Sequence, residues 1–290
     1  MGAKCSSPTC GSCECVRGNC DDVVAKDMGS TDAVKKEVVG VPLSFSSASS
    51  RREARPLHVF SDKGSYTGEW EGEQRSGQGT QVWPDDARYE GQWSNDQANG
   101  WGRFVHADGD IYEGEWSNNQ AHGNGLYAHK DGSRYVGSWK HDKQDGAGVE
   151  VWWNGTRYEG EYVDGQKHGR GKASWAKGSE YEGDFVANQL HGEGSYLFED
   201  GRRYYGQWVN NQMHGHGLFS WPDGRRYEGE YANDLKHGHG VFTWPDSHVY
   251  SGQWHMGKQH GEGKSSKAGS EPRAGEWSEG ELVKWLADVS

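Results

Sequence analysis

The residues nearest the N-terminus carry the one pattern in the chain that specifies covalent chemistry. Met1-Gly2-Ala3-Lys4-Cys5-Ser6 matches the acceptor pattern for N-myristoylation, on Gly2 once Met1 is removed. Cys5 lies where a reversible palmitoyl would go. The two act as a pair, because one myristoyl chain binds a bilayer only marginally and a second makes the attachment stable. The bland alternative is an unmodified terminus. Cys10, Cys13, Cys15 and Cys20 raise zinc as a second chemistry, since zinc takes four thiolate or imidazole ligands, commonly from paired Cys-x2–4-Cys elements. Cys10-x-x-Cys13 fits, but Cys13-x-Cys15 is tight and no well-spaced second pair follows. Further palmitoylation or solvated thiols are the preferred reading, and no metal or other cofactor is expected.

Histidine offers a third chemistry. His122, His168, His191, His214, His237 and His260 recur at multiples of 23 residues. In a sheet whose units advance by about 10 Å, neighbours in such a row stand too far apart for zinc–nitrogen bonds of about 2.0–2.1 Å. A turn role, with the imidazole donating to a backbone carbonyl, is expected instead. Gly-x-Gly pairs also recur, from Gly77 and Gly79 to Gly261 and Gly263. No helix start follows them, so they are not nucleotide loops. Catalysis needs a unique cluster of nucleophile, base and stabilising donors, whereas the conspicuous polar residues here are periodic. No enzymatic activity is expected.

What must position these residues is a repeat. Tyrosine falls at Tyr66, Tyr89, Tyr112, Tyr135, Tyr158, Tyr181, Tyr204, Tyr227 and Tyr250, always 23 residues apart. Two residues on there is always glycine, and two further an aromatic: Trp70, Trp93, Trp116, Trp139, Tyr162, Phe185, Trp208, Tyr231 and Trp254. A strict period of this length signals a repeat architecture. Tyr-x-Gly-x-Trp alternates with period two, so the three residues share one face of a strand. Stretches such as Gly217-Leu218-Phe219-Ser220-Trp221 alternate likewise, and Trp221-Pro222-Asp223-Gly224 reads as a turn. Each unit is therefore a hairpin. Large rings lying over glycines of the neighbouring strand let a sheet with no second layer cover its own face, each ring burying at most about 150–250 Å². At about 4.8 Å between strands, nine units would extend roughly 90 Å.

The 45 glycines and 15 tryptophans of the 290 residues sit mostly at these fixed positions and are structural. All five cysteines lie in the first 20 residues, so no disulfide framework holds the repeats, and a reducing, intracellular compartment is expected. No apolar run of about 18 residues occurs, so no helical membrane span is expected, and no secretory segment is read at the N-terminus. The chain divides into an acylation segment (1–20), a flexible linker (21–56), the array (57–264) and a terminal segment (265–290). A weak helix is read over Asp32–Val39 in the linker, whose Arg51, Arg52 and Arg55 form a modest basic patch. Leu57-His58-Val59-Phe60 reads as the second strand of a half unit. At the other end Gly275 and Trp277 keep the register of a partial tenth unit. Ser278-Glu279-Gly280-Glu281 then has the form of a capping box. Leu282, Trp285, Leu286 and Val289 fall at i, i+3, i+4 and i+7, so a short C-terminal capping helix is expected.

The units Tyr227-Glu228-Gly229-Glu230-Tyr231 to Gly238-His239-Gly240, and Tyr158-Glu159-Gly160-Glu161-Tyr162 to Gly169-Arg170-Gly171, resemble MORN repeats over residues 66 to about 264. The resemblance implies an all-β, elongated, single-layer antiparallel β-hairpin array acting as a scaffold. Such arrays occur at membrane junctions, in cytoskeletal and ciliary complexes and beside lipid kinases, and several members are homodimers. The favoured function is a non-catalytic scaffold, tethered to the cytoplasmic face of a membrane through acyl chains on Gly2 and Cys5. In it the nine rings Trp70, Trp93, Trp116, Trp139, Tyr162, Phe185, Trp208, Tyr231 and Trp254 line a concave groove for a protein partner. A soluble cytoskeletal or ciliary scaffold is the rival, and a phosphoinositide-associated accessory role is the third reading. After position 60 there are 36 acidic against 23 basic residues. That balance disfavours nucleic acid and anionic lipid as direct partners of the array.

Overall fold

The computed structural model describes residues 51–287. Gly2, Cys5, the cysteines from Cys10 to Cys20, the helix read over Asp32–Val39 and Val289 lie outside the described residues. Every unit makes a seven-residue strand that starts one residue before its tyrosine, such as Arg157–Val163, and a nine-residue strand, such as Gln166–Ser174. With one strand before them and two after, these make 21 strands among the described residues, each antiparallel to its neighbour in sequence, in one open sheet. The edge strands are Glu53–Val59 and Glu281–Trp285.

Two turns alternate. Within a unit the strands join through a two-residue turn with both φ angles positive, as at Asn118 (51°) and Asn119 (65°). This primed geometry matches the twist of the flanking strands and selects Asn, Asp and Gly. Between units, Trp221 N donates to Arg225 O at 2.9 Å and Gly224 N to Trp221 O at 3.0 Å, with Asp223 Oδ1 accepting from Arg225 N at 3.1 Å. The turn also joins neighbouring units. Asn211 Oδ1 accepts from Leu190 N at 2.8 Å, and Asn211 N donates to Leu190 O at 3.0 Å.

Each hairpin carries a bulge. Gly160 faces Gly171 while Glu161 faces His168, which leaves Gly169 and Arg170 as extra residues on the second strand. Gly169 has φ of 57°, a left-handed conformation open to glycine at no steric cost. The residue three after the tyrosine satisfies the amide that the bulge frees: Glu230 Oε1 accepts from His239 N at 2.8 Å, and Gln207 Oε1 from His216 N at 3.1 Å. That need explains why this position is acid or amide in nearly every unit.

The core is a single file of rings. Tyr227 is fully buried, and its hydroxyl donates to Glu230 O at 2.9 Å. Its ring meets Tyr231 and Trp254 edge-on, both at 5.2 Å between centroids. Trp254 Nε1 in turn donates to Gly240 O at 3.1 Å. Beneath Tyr227, a Cβ at Gly229 or Gly240 would collide with the tyrosine ring or its hydroxyl. The same contacts recur from Tyr66 to Tyr250. Edge-to-face ring pairs contribute about 0.5–1.5 kcal/mol each beyond the area they bury.

The ends differ from the sequence reading in two ways. The first edge strand begins at Glu53, with its register broken between Arg55 and His58, around Pro56. Arg55 lies over the Trp70 ring at 5.3 Å and donates to Gly72 O at 2.7 Å, so this arginine covers the end of the ring file. The expected C-terminal helix is absent. Ser278-Glu279-Gly280-Glu281 is the ordinary hairpin turn of the tenth unit, with φ of 53° at Glu279 and 93° at Gly280, and Glu281–Trp285 is a strand. The spacing misled for a physical reason. Trp277 faces Leu282, Glu276 faces Lys284 and Gly275 faces Trp285. Val283 is therefore a bulge, and one bulge puts residues i and i+3 of a strand on the same face.

A methyl at Gly160 would come within 2.5 Å of Tyr158 Oη and 2.6 Å of Gly171 Cα. Gly160→Ala is therefore expected to destabilise the array by about 2–3 kcal/mol, as overpacking does, measured as a fall in the urea midpoint. Ala187 occupies the first turn position at φ of 49°, where other units carry Asn95, Asn118, Asn210 and Asn233. Ala187→Asn is expected to raise stability by about 0.5–1 kcal/mol in the same assay.

Candidate functional site

Of the nine rings that the sequence points to as a groove, seven are buried: Trp70, Trp93, Tyr162, Phe185, Trp208, Tyr231 and Trp254. Trp116 and Trp139 are half-buried. These rings are committed to covering the sheet. Beside them on the same face runs a second row, from residues 15 and 17 after each tyrosine, in which Phe219 and Phe242 are buried and the flanking rings are partly open. In the C-terminal half it runs without a gap. Trp175 meets Tyr196 at 5.5 Å, Phe198 meets Phe219 at 5.6 Å, Trp221 meets Phe242 at 5.7 Å, and Phe242 meets Trp244 at 4.4 Å. Trp175, Tyr196, Phe198, Trp221 and Trp244 are half-buried, with their outer surfaces in solvent. The same 23-residue period held the signal for this row, which alternation alone placed without saying how much of each ring stays uncovered.

Three cations enter the face from the position nine residues after the tyrosine. Arg75 lies 4.3 Å from the Trp93 ring and pairs with Asp96 at 3.1 Å. Lys167 lies 4.6 Å from Trp152 and pairs with Glu150 at 3.3 Å. Lys236 is held among Phe242 at 4.6 Å, Trp254 at 4.7 Å, Tyr227 at 5.3 Å and Trp221 at 5.6 Å. No carboxylate among the described residues lies within ion-pair distance of it. Burial, and then the nearby Arg225 guanidinium, push its ammonium down to about 8. Burial likewise pushes the core tyrosines up, to about 12 at Tyr66 and Tyr250.

The opposite face mixes charged residues with exposed apolar ones, among them Trp101, Val136, Tyr205 and Val241. Two grooves open on it, of about 840 and 750 Å³. The first is lined by Glu159, Arg170, Lys172, Glu180, Glu182 and Tyr205 among others. Some of its charges are paired, with Lys172 3.2 Å from Glu180 and Arg170 3.6 Å from Asp184.

The histidine row lies at the hairpin bulges. Its non-histidine counterparts define its surroundings: Asn99 Oδ1 accepts from Asn118 N at 3.1 Å, and Asp145 Oδ2 from Asp164 N at 3.2 Å. The neighbouring turn offers an N–H here, where the sequence reading expected a carbonyl. The Nδ1 atoms of His122 and His191 are buried and make no hydrogen bond among the described residues. Among the described residues no three histidine, cysteine or acidic side chains converge to hold a metal ion.

The family profile described as MORN repeat matches nine consecutive stretches, 66–88, 89–111, 112–134, 135–157, 158–180, 181–202, 204–225, 227–249 and 250–268. No curated protein matches the chain. Among solved structures it is similar to the TCP10 domain of Danio rerio CPAP, at 10% identity over 68% of this chain and 94% of that one, with a TM-score of 0.38. It is also similar to the TCP domain of Drosophila melanogaster SAS-4 in complex with a proline-rich motif of Ana2, at 13% identity over 67% and 99%, with a TM-score of 0.34. Virginiamycin B lyase from Staphylococcus aureus aligns at 9% identity over 82% and 85%, with a TM-score of 0.15.

The face has a testable pH signature. Lys236 titrates near 8 when folded against 10.5 when unfolded, so the unfolded chain holds more protons across that window and stability rises with pH there. The tyrosines have the opposite sign. Raised from 10 to about 12 at Tyr66 and Tyr250, they contribute stability that is full below pH 10 and lost as pH climbs through 12. The urea midpoint is expected to rise from pH 8 towards 10 and then fall. Lys236→Met, which keeps the apolar stem packed among the rings, should flatten the rise and leave the fall.

Proposed function

The chain belongs to the MORN-repeat family, and on that premise we propose that it is a scaffold held on the cytoplasmic face of a membrane by acyl chains on Gly2 and Cys5, where it presents the second aromatic row to a protein partner. The observation that carries this reading is the set of half-exposed rings Trp175, Tyr196, Phe198, Trp221 and Trp244. The second row shares in covering the sheet through the buried Phe219 and Phe242, and the outer parts of its flanking rings add apolar surface that the cover leaves open. Aromatic rings with one face packed and one face open are the anchors most used at protein interfaces.

The acylation half of the proposal rests on Met1-Gly2-Ala3-Lys4-Cys5-Ser6 and on the acidic balance of the array, which disfavours direct adhesion to anionic lipid. Arg55, one of three arginines that could have added to membrane attraction, is engaged over Trp70. A cytoskeletal scaffold without the acyl anchor is separated from this reading by fractionation. Gly2→Ala is expected to move the protein from membrane to soluble fractions, and Cys5→Ser to weaken attachment without abolishing it. In the same cells, the double substitution Trp221→Ser with Trp244→Ser should leave the protein on membranes and remove its crosslinks to a partner. Gly2→Ala protein that still sediments with membranes would refute the anchor, and crosslinks unchanged by the double substitution would refute the docking face.

A further inference from the structure

Lys236 stands out when the nine units are superimposed by their period. Arg75 and Lys167 occupy the same position in their units and each finds a carboxylate, but from different places. Arg75 takes Asp96, from the hairpin turn of the following unit. Lys167 takes Glu150, from the second strand of the preceding unit. Around Lys236 both places are emptied of charge: the residue equivalent to Asp96 is Gly257, and the residue equivalent to Glu150 is Phe219. A Cβ built on Gly257 would meet only Leu235 Cδ2, at 3.8 Å, so the space where the turn carboxylate stands in the first unit is open. The remaining neighbours are the four rings and Arg225, whose guanidinium already pairs with Asp223 at 2.8 Å.

We propose that this site takes an acidic protein segment, one Asp or Glu carboxylate of which reaches Lys236 through the space left by Gly257, while apolar side chains beside it lie on Trp221 and Trp244. A half-buried ammonium whose internal partners are both missing is complementary to a carboxylate brought from outside, and a desolvated ion pair of this kind selects its partner by charge. The overall acidity of the array does not oppose this. The pairing is made at contact, inside the ring cluster, whereas the distributed charge is screened over about 8 Å at physiological salt. The depressed ammonium is consistent with the same geometry, since a carboxylate at that distance would restore it. The proposal rests on the reading of the aromatic face as the docking face and names the chemistry of what docks there.

The test is a selection of short random peptides against the full-length protein, followed by affinity measurements on the winners. Selected peptides are expected to be enriched in Asp and Glu. Their affinity should fall by about tenfold or more on Lys236→Met, as it does when one partner of a buried charge pair is removed, and hold on Lys236→Arg. Gly257→Asp should weaken them similarly by restoring an internal partner, at a turn position where Asp96 and Asp234 are already accommodated at positive φ. Peptides that bind without acidic enrichment, or regardless of Lys236, would overturn the acidic segment while leaving the docking face intact. Peptides indifferent to Trp221→Ser with Trp244→Ser would overturn the docking face itself. Flotation of unacylated protein with phosphatidylserine vesicles, lost on Lys236→Met, would assign the site to lipid and overturn the proposal as well.

Discussion

A sheet with one layer has nothing to bury its apolar face against, and the structure answers this with a ring laid flat across two glycines. The tyrosine of each unit lies over the glycine two residues on and the glycine of the paired strand, and its hydroxyl closes onto a carbonyl three residues away, as Tyr204 does to Gln207 O at 3.0 Å. The hydroxyl bond matters because a buried phenol without a partner would cost about 1–3 kcal/mol. The edge-on contacts that tie each tyrosine to the next unit, such as Tyr204 to Tyr231 at 5.3 Å, make the cover continuous. Removing the glycines removes the floor, and removing the ring uncovers it, so neither can vary independently. Stability is then a sum over units and the contacts between them.

Much of this could be read before any coordinates. The period revealed the hairpins and the facing of tyrosine, glycine and tryptophan, because alternation and turn chemistry are local rules, whereas the bulge that sets each hairpin's register was not read from it. Three features were not local. Burial of the row led by Trp208 and Trp254 depends on how closely successive units approach, which spacing does not encode. The second row was visible as alternation but not as surface. At the C-terminus, Ser278-Glu279-Gly280-Glu281 satisfies the spacing of a helix start and of a hairpin turn alike. The edge of a sheet already built decided between them, since the strand Arg273–Ser278 offers backbone hydrogen bonds that an isolated turn or two of helix could not match.

The histidine row and the cation positions make a related point. Residues at one position of the repeat share a backbone environment and differ in what surrounds their tips. Asn99, Asp145 and His122 all sit at the same bulge. The first two take a hydrogen bond from the next turn, and the histidine carries a buried nitrogen with none. Arg75, Lys167 and Lys236 likewise share a place and differ in partners. In a repeat protein the common positions build the fold, and its individuality lies in such exceptions.

The side-chain clamps between successive turns have a mechanical meaning. Asp96, Asn119, Asp142, Asn188, Asn211 and Asp234 each grip an amide of the unit before. Gly165, Gly257 and Gly280 have no side chain to do so, and their own amides keep the backbone bond, at 2.8, 2.9 and 2.9 Å. Beside Gly165, Lys143 reaches Asp164 at 3.1 Å as an exposed substitute, of little strength in water. Beside Gly257 stand Met256 and Leu235, which offer no charge at all. At Gly257 the joint between units is left to strand pairing and to the rings, chiefly Trp254 against Tyr227, so its cohesion there is apolar where the other joints add a polar latch.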